Sequence, residues 1–145
     1  MSKRHPDYSI SILVVDDDAM VRTVLVEYLL SFGFTDIIQS KNVPQALRHI
    51  QNPKQRIDLI LSDWEMPGAK GLELLKTVRK SPHRRRTPFI MITSQESMER
   101  FKITQAAQWR VTDYMVKPFT SDLLKYRIWK VMDWTPEDDY EDEAI

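Results

Sequence analysis

Residues 10–15, I-S-I-L-V-V, form a β-branched apolar run that stops abruptly at Asp16-Asp17-Asp18. The run is too short for a helix. Its continuous rather than alternating hydrophobicity is that of a strand covered on both faces. Downstream, Met20, Val21, Val24, Leu25, Tyr28 and Leu29 recur at helical spacing over residues 19–32, and Gly33 stands where a helix terminator belongs. The alternation then repeats. Ile37-Ile38 reads as a short second strand, and residues 43–50 as a weaker helix with Ala46, Leu47 and Ile50 on one side. Residues 57–62 (I-D-L-I-L-S) form a third strand running straight into Asp63; beyond Pro67-Gly68, Leu72, Leu74, Leu75 and Val78 mark a third helix. A fourth strand at 88–92 (P-F-I-M-I) leads through Thr93-Ser94 into a helix over 97–108. A fifth strand at 112–116 precedes a helix over 121–132, with Leu124, Ile128 and Val131 on its inner face. The order is (βα)5, which predicts an α/β fold: one domain with a doubly wound, open five-stranded parallel sheet and right-handed crossovers.

Composition agrees. A chain of 145 residues with 42% hydrophobic and 29% charged residues has material for one ordinary core. The absence of cysteine excludes disulfides, thiolate metal sites and thiol nucleophiles, and three scattered histidines suggest no shared metal. No apolar run approaches a membrane span, and no apolar stretch follows the charged N-terminus as in a secretory signal. A cytoplasmic protein with no membrane contact is expected. The formal net charge of zero hides an asymmetry: all 21 Lys and Arg lie in residues 1–132 with 14 of the acids, while residues 133–145 hold the other seven acids and no base. The expected layout is an N-terminal extension at 1–9, a folded domain at 10–132 and an acidic, disordered tail at 133–145. That tail reads first as solvated and solubilising, and second as a segment that docks on the basic body or on a partner.

In an open parallel sheet, ligands bind beyond the carboxyl ends of the strands. There the first strand delivers Asp16 and Asp17, the third Asp63, the fourth Thr93, and the fifth Lys117-Pro118. Singly, each has a plain explanation: an Asp or Thr after a strand caps the next helix, and a lone lysine is a solvated charge. Together, three adjacent carboxylates would repel one another and hold a proton unless a hard divalent cation relieved them, and magnesium suits such oxygen donors.

The strings Leu13-Val14-Val15-Asp16-Asp17, Asp63-Trp64-Glu65-Met66-Pro67, Gly71-Leu72-Glu73-Leu74-Leu75, Met91-Ile92-Thr93-Ser94 and Tyr114-Met115-Val116-Lys117-Pro118-Phe119 resemble the receiver domains of two-component response regulators. Stand-alone, CheY-like receivers are the nearest likeness. The resemblance covers residues 10–132 and implies a flavodoxin-like strand order of 2-1-3-4-5. It implies that Asp63 is the phosphoacceptor and that Mg2+ is held by Asp17, the Asp63 carboxylate and the Glu65 backbone carbonyl, with Asp16 acting through water. Thr93 and Lys117 would meet phosphoryl oxygens, and Tyr114 would be the aromatic that changes rotamer on activation. The donor would be a histidine kinase or a histidine phosphotransfer protein, and an unidentified output protein would bind the face of helix 4, strand 5 and helix 5, in chemotaxis or a related pathway. The alternatives are an intermediate phosphorelay protein and an unphosphorylated interaction module of the same fold. A magnesium phosphatase fits poorly, because the short loops leave no room for a substrate cap.

Four places depart from that pattern or stand outside it. Glu65 puts an acid where the chemotaxis receivers carry an amide, and Lys70 replaces a common acid, read here as a tolerated surface change. The segment Gln108-Trp109-Arg110-Val111 lacks the glycine that ends the fourth helix in relatives, so Arg110 or a neighbour must manage without one. Tyr126 and Trp129, three apart on the fifth helix, are candidates for a partner surface or else pack under the tail or against the fourth helix. His83-Arg84-Arg85-Arg86 reads first as a solvated charge run and second as an anion or nucleic-acid contact. With an acidic tail and no helix-turn-helix, direct nucleic-acid binding is not expected.

Overall fold

The computed structural model describes residues 3–94 and 100–136, with the backbone alone for residues 100 and 101. Five strands alternate with five helices: β1 Ser11–Val15, α1 Ala19–Phe32, β2 Asp36–Ser40, α2 Val43–Ile50, β3 Leu59–Asp63, α3 Gly71–Lys80, β4 Phe89–Ser94, α4 Arg100–Gln108, β5 Asp113–Lys117 and α5 Ser121–Val131. All neighbouring strands are parallel, in the order β2-β1-β3-β4-β5. The expected α/β architecture and strand order are those observed. The expected start of α4 at Ser97 lies outside the described residues.

Alternate residues of the buried strands feed two cores. Leu13, Val15, Ile60, Phe89 and Met91 face α2, α3 and α4, packing on Val43, Ala46, Ile50, Leu74, Leu75, Val78 and Ala106. Ile12, Val14, Leu59, Leu61, Ile90 and Ile92 face α1 and α5, packing on Leu25, Leu29, Leu124 and Ile128. Each fully buried aliphatic side chain contributes about 1.5–3 kcal/mol, which is why the central strands tolerate no polar alternation.

Helix ends follow local chemistry. Asp18 caps α1 by accepting from the Met20 and Val21 N–H groups at 2.9 and 3.3 Å, as a charge at a helix start should. Gly33 closes α1 at φ 113°. Asn42 and Thr120 cap α2 and α5. After α4, Arg110 takes φ 56°, so an arginine occupies the left-handed position where a glycine was missed.

The ends of the chain differ from expectation. Trp129 is not a surface aromatic: it is 5% exposed, with Trp134 at 5.1 Å, Phe34 at 5.9 Å and Tyr8 at 6.2 Å between ring centroids. The reading that placed it under the tail is the one the structure supports. The folded body therefore runs past Met132. Trp134 joins the core, and Thr135 and Arg4 exchange hydrogen bonds, Thr135 N–H to the Arg4 carbonyl at 2.7 Å and Arg4 N–H to Thr135 Oγ1 at 2.8 Å. Arg4 also meets Asp133 at 3.1 Å. Residues 4–8 and 133–135 thus close one end of the α1–α5 layer, and the tail's acidic run from 137 onward lies outside the described residues.

Candidate functional site

The strand order reverses about β1, so the carboxyl ends of β1 and β3 border the crevice where such sheets bind ligands. Asp16 and Asp17 follow β1, and Asp63 ends β3. One carboxylate oxygen from each lies within 4.8 Å of the others, Asp16 and Asp63 buried and Asp17 exposed. Lys117, at the end of β5, reaches in with Nζ 3.0 Å from Asp16 Oδ2 and 3.4 Å from Asp63 Oδ1. The Lys117–Pro118 peptide bond is cis. Thr93, 6% exposed on β4, brings its hydroxyl to the same rim. Sequence reasoning named these five residues, and the structure gathers them.

Each is held by its surroundings. Asp16 Oδ1 accepts from the Asp18 N–H at 2.9 Å, and Arg22 donates to the Asp16 carbonyl at 2.7 Å. Gly71 lets α3 start against β3: a Cβ there would lie 2.2 Å from the Asp63 carbonyl oxygen. Its N–H donates to the Trp64 carbonyl at 3.0 Å. Burial, followed by repulsion from Asp16, pushes the Asp63 carboxyl up to about 6 against the pull of Lys117. Burial opposes the Lys117 charge, yet the hydrogen bond and attraction of Asp16, with help from Asp63, carry its pKa above the ordinary lysine value. Three hard oxygen donors this close together fit a divalent cation of the magnesium type.

Glu65 and Lys70 form a unit that sequence reasoning missed. Glu65 Oε1 accepts from Lys102 Nζ at 2.6 Å and Oε2 from Lys70 Nζ at 3.1 Å. The Lys102 hydrogen bond, then that of Lys70, hold the Glu65 carboxyl below its ordinary range. Lys70 is thus no idle surface change; its charge answers that of Glu65. The two departures are opposite in sign and five residues apart, which was the available signal. Lys102, 37 positions away on α4, left none in the sequence.

Lys102 also walls a cavity of about 20 Å³ with Trp64, Met91, Thr93, Ile103, Ala106 and Tyr114. Tyr114 stands at its mouth, 38% exposed. Tyr126, 60% exposed, is the one residue of the expected aromatic pair that faces solvent.

A parallel sheet of this order with an acidic cluster, a hydroxyl and a lysine at its carboxyl rim defines a receiver. The family model for the response regulator receiver domain matches residues 12–128, and the chain belongs to that family. Among relatives, it is 34% identical over 122 residues to the chemotaxis protein CheY of Pseudomonas aeruginosa, covering 84% of this chain and 95% of that one. It is also 34% identical over 125 residues to CheY-3 of Vibrio cholerae, covering 86% and 93%. Among solved structures, CheY4 of Vibrio cholerae superposes with a TM-score of 0.76 at 28% identity, covering 85% of this chain and 98% of the other. A putative response regulator from Chloroflexus aurantiacus gives 0.77 at 27%, covering 86% and 98%. The protein is a CheY-like receiver of the response-regulator family. No helix among the described residues is long and apolar enough to cross a membrane.

Proposed function

We infer that the protein is a magnesium-dependent phospho-aspartate switch with Asp63 as the acceptor. The observation that carries this reading is the meeting of Asp16, Asp17 and Asp63 oxygens within 4.8 Å, with Lys117 Nζ 3.4 Å from Asp63. Asp17, the Asp63 carboxylate and the Glu65 backbone carbonyl would hold the Mg2+ ion, with Asp16 acting through water; bound there, the ion supplies positive charge for the transferring group. An Asp63 oxygen attacks the phosphorus of a phosphohistidine on a histidine kinase or phosphotransfer protein. The P–N bond breaks, and its electron pair returns to the imidazole, which takes up a proton. Lys117 pairs with one equatorial oxygen and the Thr93 hydroxyl donates to another, so catalysis is positioning and charge stabilisation. Attack of water on the acyl phosphate resets Asp63.

A hydrogen bond to a charged group contributes about 1.5–3 kcal/mol, a shift of roughly ten- to over a hundredfold in a two-state equilibrium. That suffices to redraw the surface of α4, β5 and α5. Tyr114, Thr93 and Lys102 line one small cavity, so movement of Thr93 toward the phosphoryl group and of Tyr114 into that cavity would act on the Lys102–Glu65 pair beside them. The changed face, with Tyr126 on it, binds the output protein.

The test is incubation with acetyl phosphate and Mg2+, followed by intact-mass measurement. Wild type should gain one phosphoryl group, and both Asp63→Asn and chelator-treated wild type should gain none. No adduct at saturating donor, or the same adduct on Asp63→Asn, would overturn the reading.

A further inference from the structure

At the opposite rim, where the strands begin, Arg79 in the last turn of α3 is 7% exposed. Its guanidinium donates from Nε and Nη2 to the Arg110 carbonyl at 3.1 and 2.8 Å, and from Nη1 to the carbonyls of Arg85 at 3.2 Å and Thr87 at 2.7 Å. Among the described residues no carboxylate forms an ion pair with it. Carbonyl dipoles satisfy its N–H groups but leave its charge uncancelled. Burial, then the nearby Arg110 charge, draw its pKa below the ordinary arginine value. By gathering the carbonyls of Arg85 and Arg110, Arg79 fixes two chain segments that carry three further guanidiniums. Arg79, Arg85, Arg86 and Arg110 line one open concavity of about 570 Å³. Arg85, Arg86 and Arg110 are exposed, and among the described residues none of them forms an ion pair.

Like charges assembled on a backbone scaffold repel one another until an anion enters. Guanidinium forks suit phosphate oxygens, which they bind two bonds at a time. Among the described residues the lining holds no aromatic or aliphatic side chain to receive a base or an acyl group. The neighbouring indole of Trp109 is already engaged by Lys76 and Lys80, with Nζ 5.5 and 5.1 Å from the ring centroid. The volume falls within the range of small-molecule sites, roughly 300–1,000 Å³, and exceeds what one phosphate fills.

We propose that this concavity binds a compact inorganic polyphosphate, several phosphate groups in a chain, through the side chains of Arg85, Arg86 and Arg110. Arg79 is the buried positioning cation that holds their backbones together. The site lies across the sheet from Asp63 and takes no part in phosphoryl transfer. Of the basic run His83-Arg84-Arg85-Arg86, only the last two residues serve it. Arg84 is buried and donates to the carbonyls of Ile50, His49, Asn52 and Gln55, and so it braces the turn after α2.

The test is calorimetric titration of the whole chain with sodium tripolyphosphate at low salt and without divalent ions, with orthophosphate in parallel. Tripolyphosphate should bind saturably, and orthophosphate about tenfold or more weaker, the equivalent of about 1.4 kcal/mol. Raising the salt should weaken binding. The Arg85→Ala/Arg86→Ala double variant should melt with wild type, because the Arg79 bonds to main chain survive, and bind tripolyphosphate at least about tenfold more weakly. Absence of binding by wild type, or equal binding by the double variant, would overturn the proposal. Binding that appears only after deletion of residues 137–145 would overturn it in favour of the chain's own acidic end as the occupant.

Discussion

Gly71 is set by space rather than by conformation. A methyl group there would press on the Asp63 carbonyl oxygen at 2.2 Å and on Met91 Sδ at 3.0 Å, and neither strand can retreat from the sheet. Overpacking of this kind costs about 1–3 kcal/mol, so Gly71→Ala should lower stability by at least that amount in urea melts and displace the acceptor residue. Asp63 itself is destabilising when ionised. Its folded-state pKa of about 6 exceeds the ordinary aspartate value of 3.8, so the folded state keeps its proton longer than the unfolded state and stability falls as pH rises through that interval. Asp63→Asn, which cannot ionise, should match wild type near pH 4 and be more stable by on the order of 1–3 kcal/mol above pH 6 without divalent ions. Urea melts at the two pH values check this; a gain that ignores pH would contradict it. The placement of Asp63, Asp16, Asp17, Thr93 and Lys117 on one rim was legible in the sequence because each terminates or follows a strand, and parallel strands bring such residues together. The Glu65 pairing with Lys102 was not, since a side chain reaching between elements obeys no local period.

At the scale of elements, α4 is fastened at both ends by unusual means. Its C-terminal end closes on Arg110 at φ 56°, a conformation that costs an ordinary side chain about 1–2 kcal/mol. Glycine relieves that strain while loosening the unfolded chain, so Arg110→Gly should raise stability by about 0.5–1 kcal/mol in thermal melts. The missing glycine was visible in the sequence, and the left-handed arginine is its consequence. Toward its N-terminal end, Lys102 ties α4 to the loop after β3 through Glu65 at 2.6 Å. The pair is partly exposed and contributes about 0.2–1 kcal/mol to the resting arrangement. Lys102→Met should therefore tighten beryllofluoride binding roughly two- to fivefold, measured by titration; an unchanged affinity would show that the ion pair does not hold the resting state.

Across the whole molecule, the two faces of the sheet have different dependents. The α2–α3–α4 core is built entirely from the repeating units, whereas the α1–α5 core recruits Tyr8 and Trp134 from outside them. The sequence divides at residues 9 and 132 by charge and periodicity, but two isolated aromatics beyond those limits follow no period, so the burial of Trp134 and the ring contacts of Tyr8 could be found only in three dimensions. Trp134→Ala removes a ring stacked on Phe34 and edge-on to Trp129 and should cost about 3–5 kcal/mol in thermal or urea melts, with phosphorylation of the surviving folded protein intact. The same region joins residues near the two ends of the described chain: the Thr135 N–H donates to the Arg4 carbonyl, and the Arg4 N–H to Thr135 Oγ1. Because residues 4 and 135 already touch, a chain trimmed to those positions can be cyclised by a short linker and reopened elsewhere. New ends placed at an exposed turn whose main chain bonds to no buried side chain should leave the fold and the Asp63 rim intact.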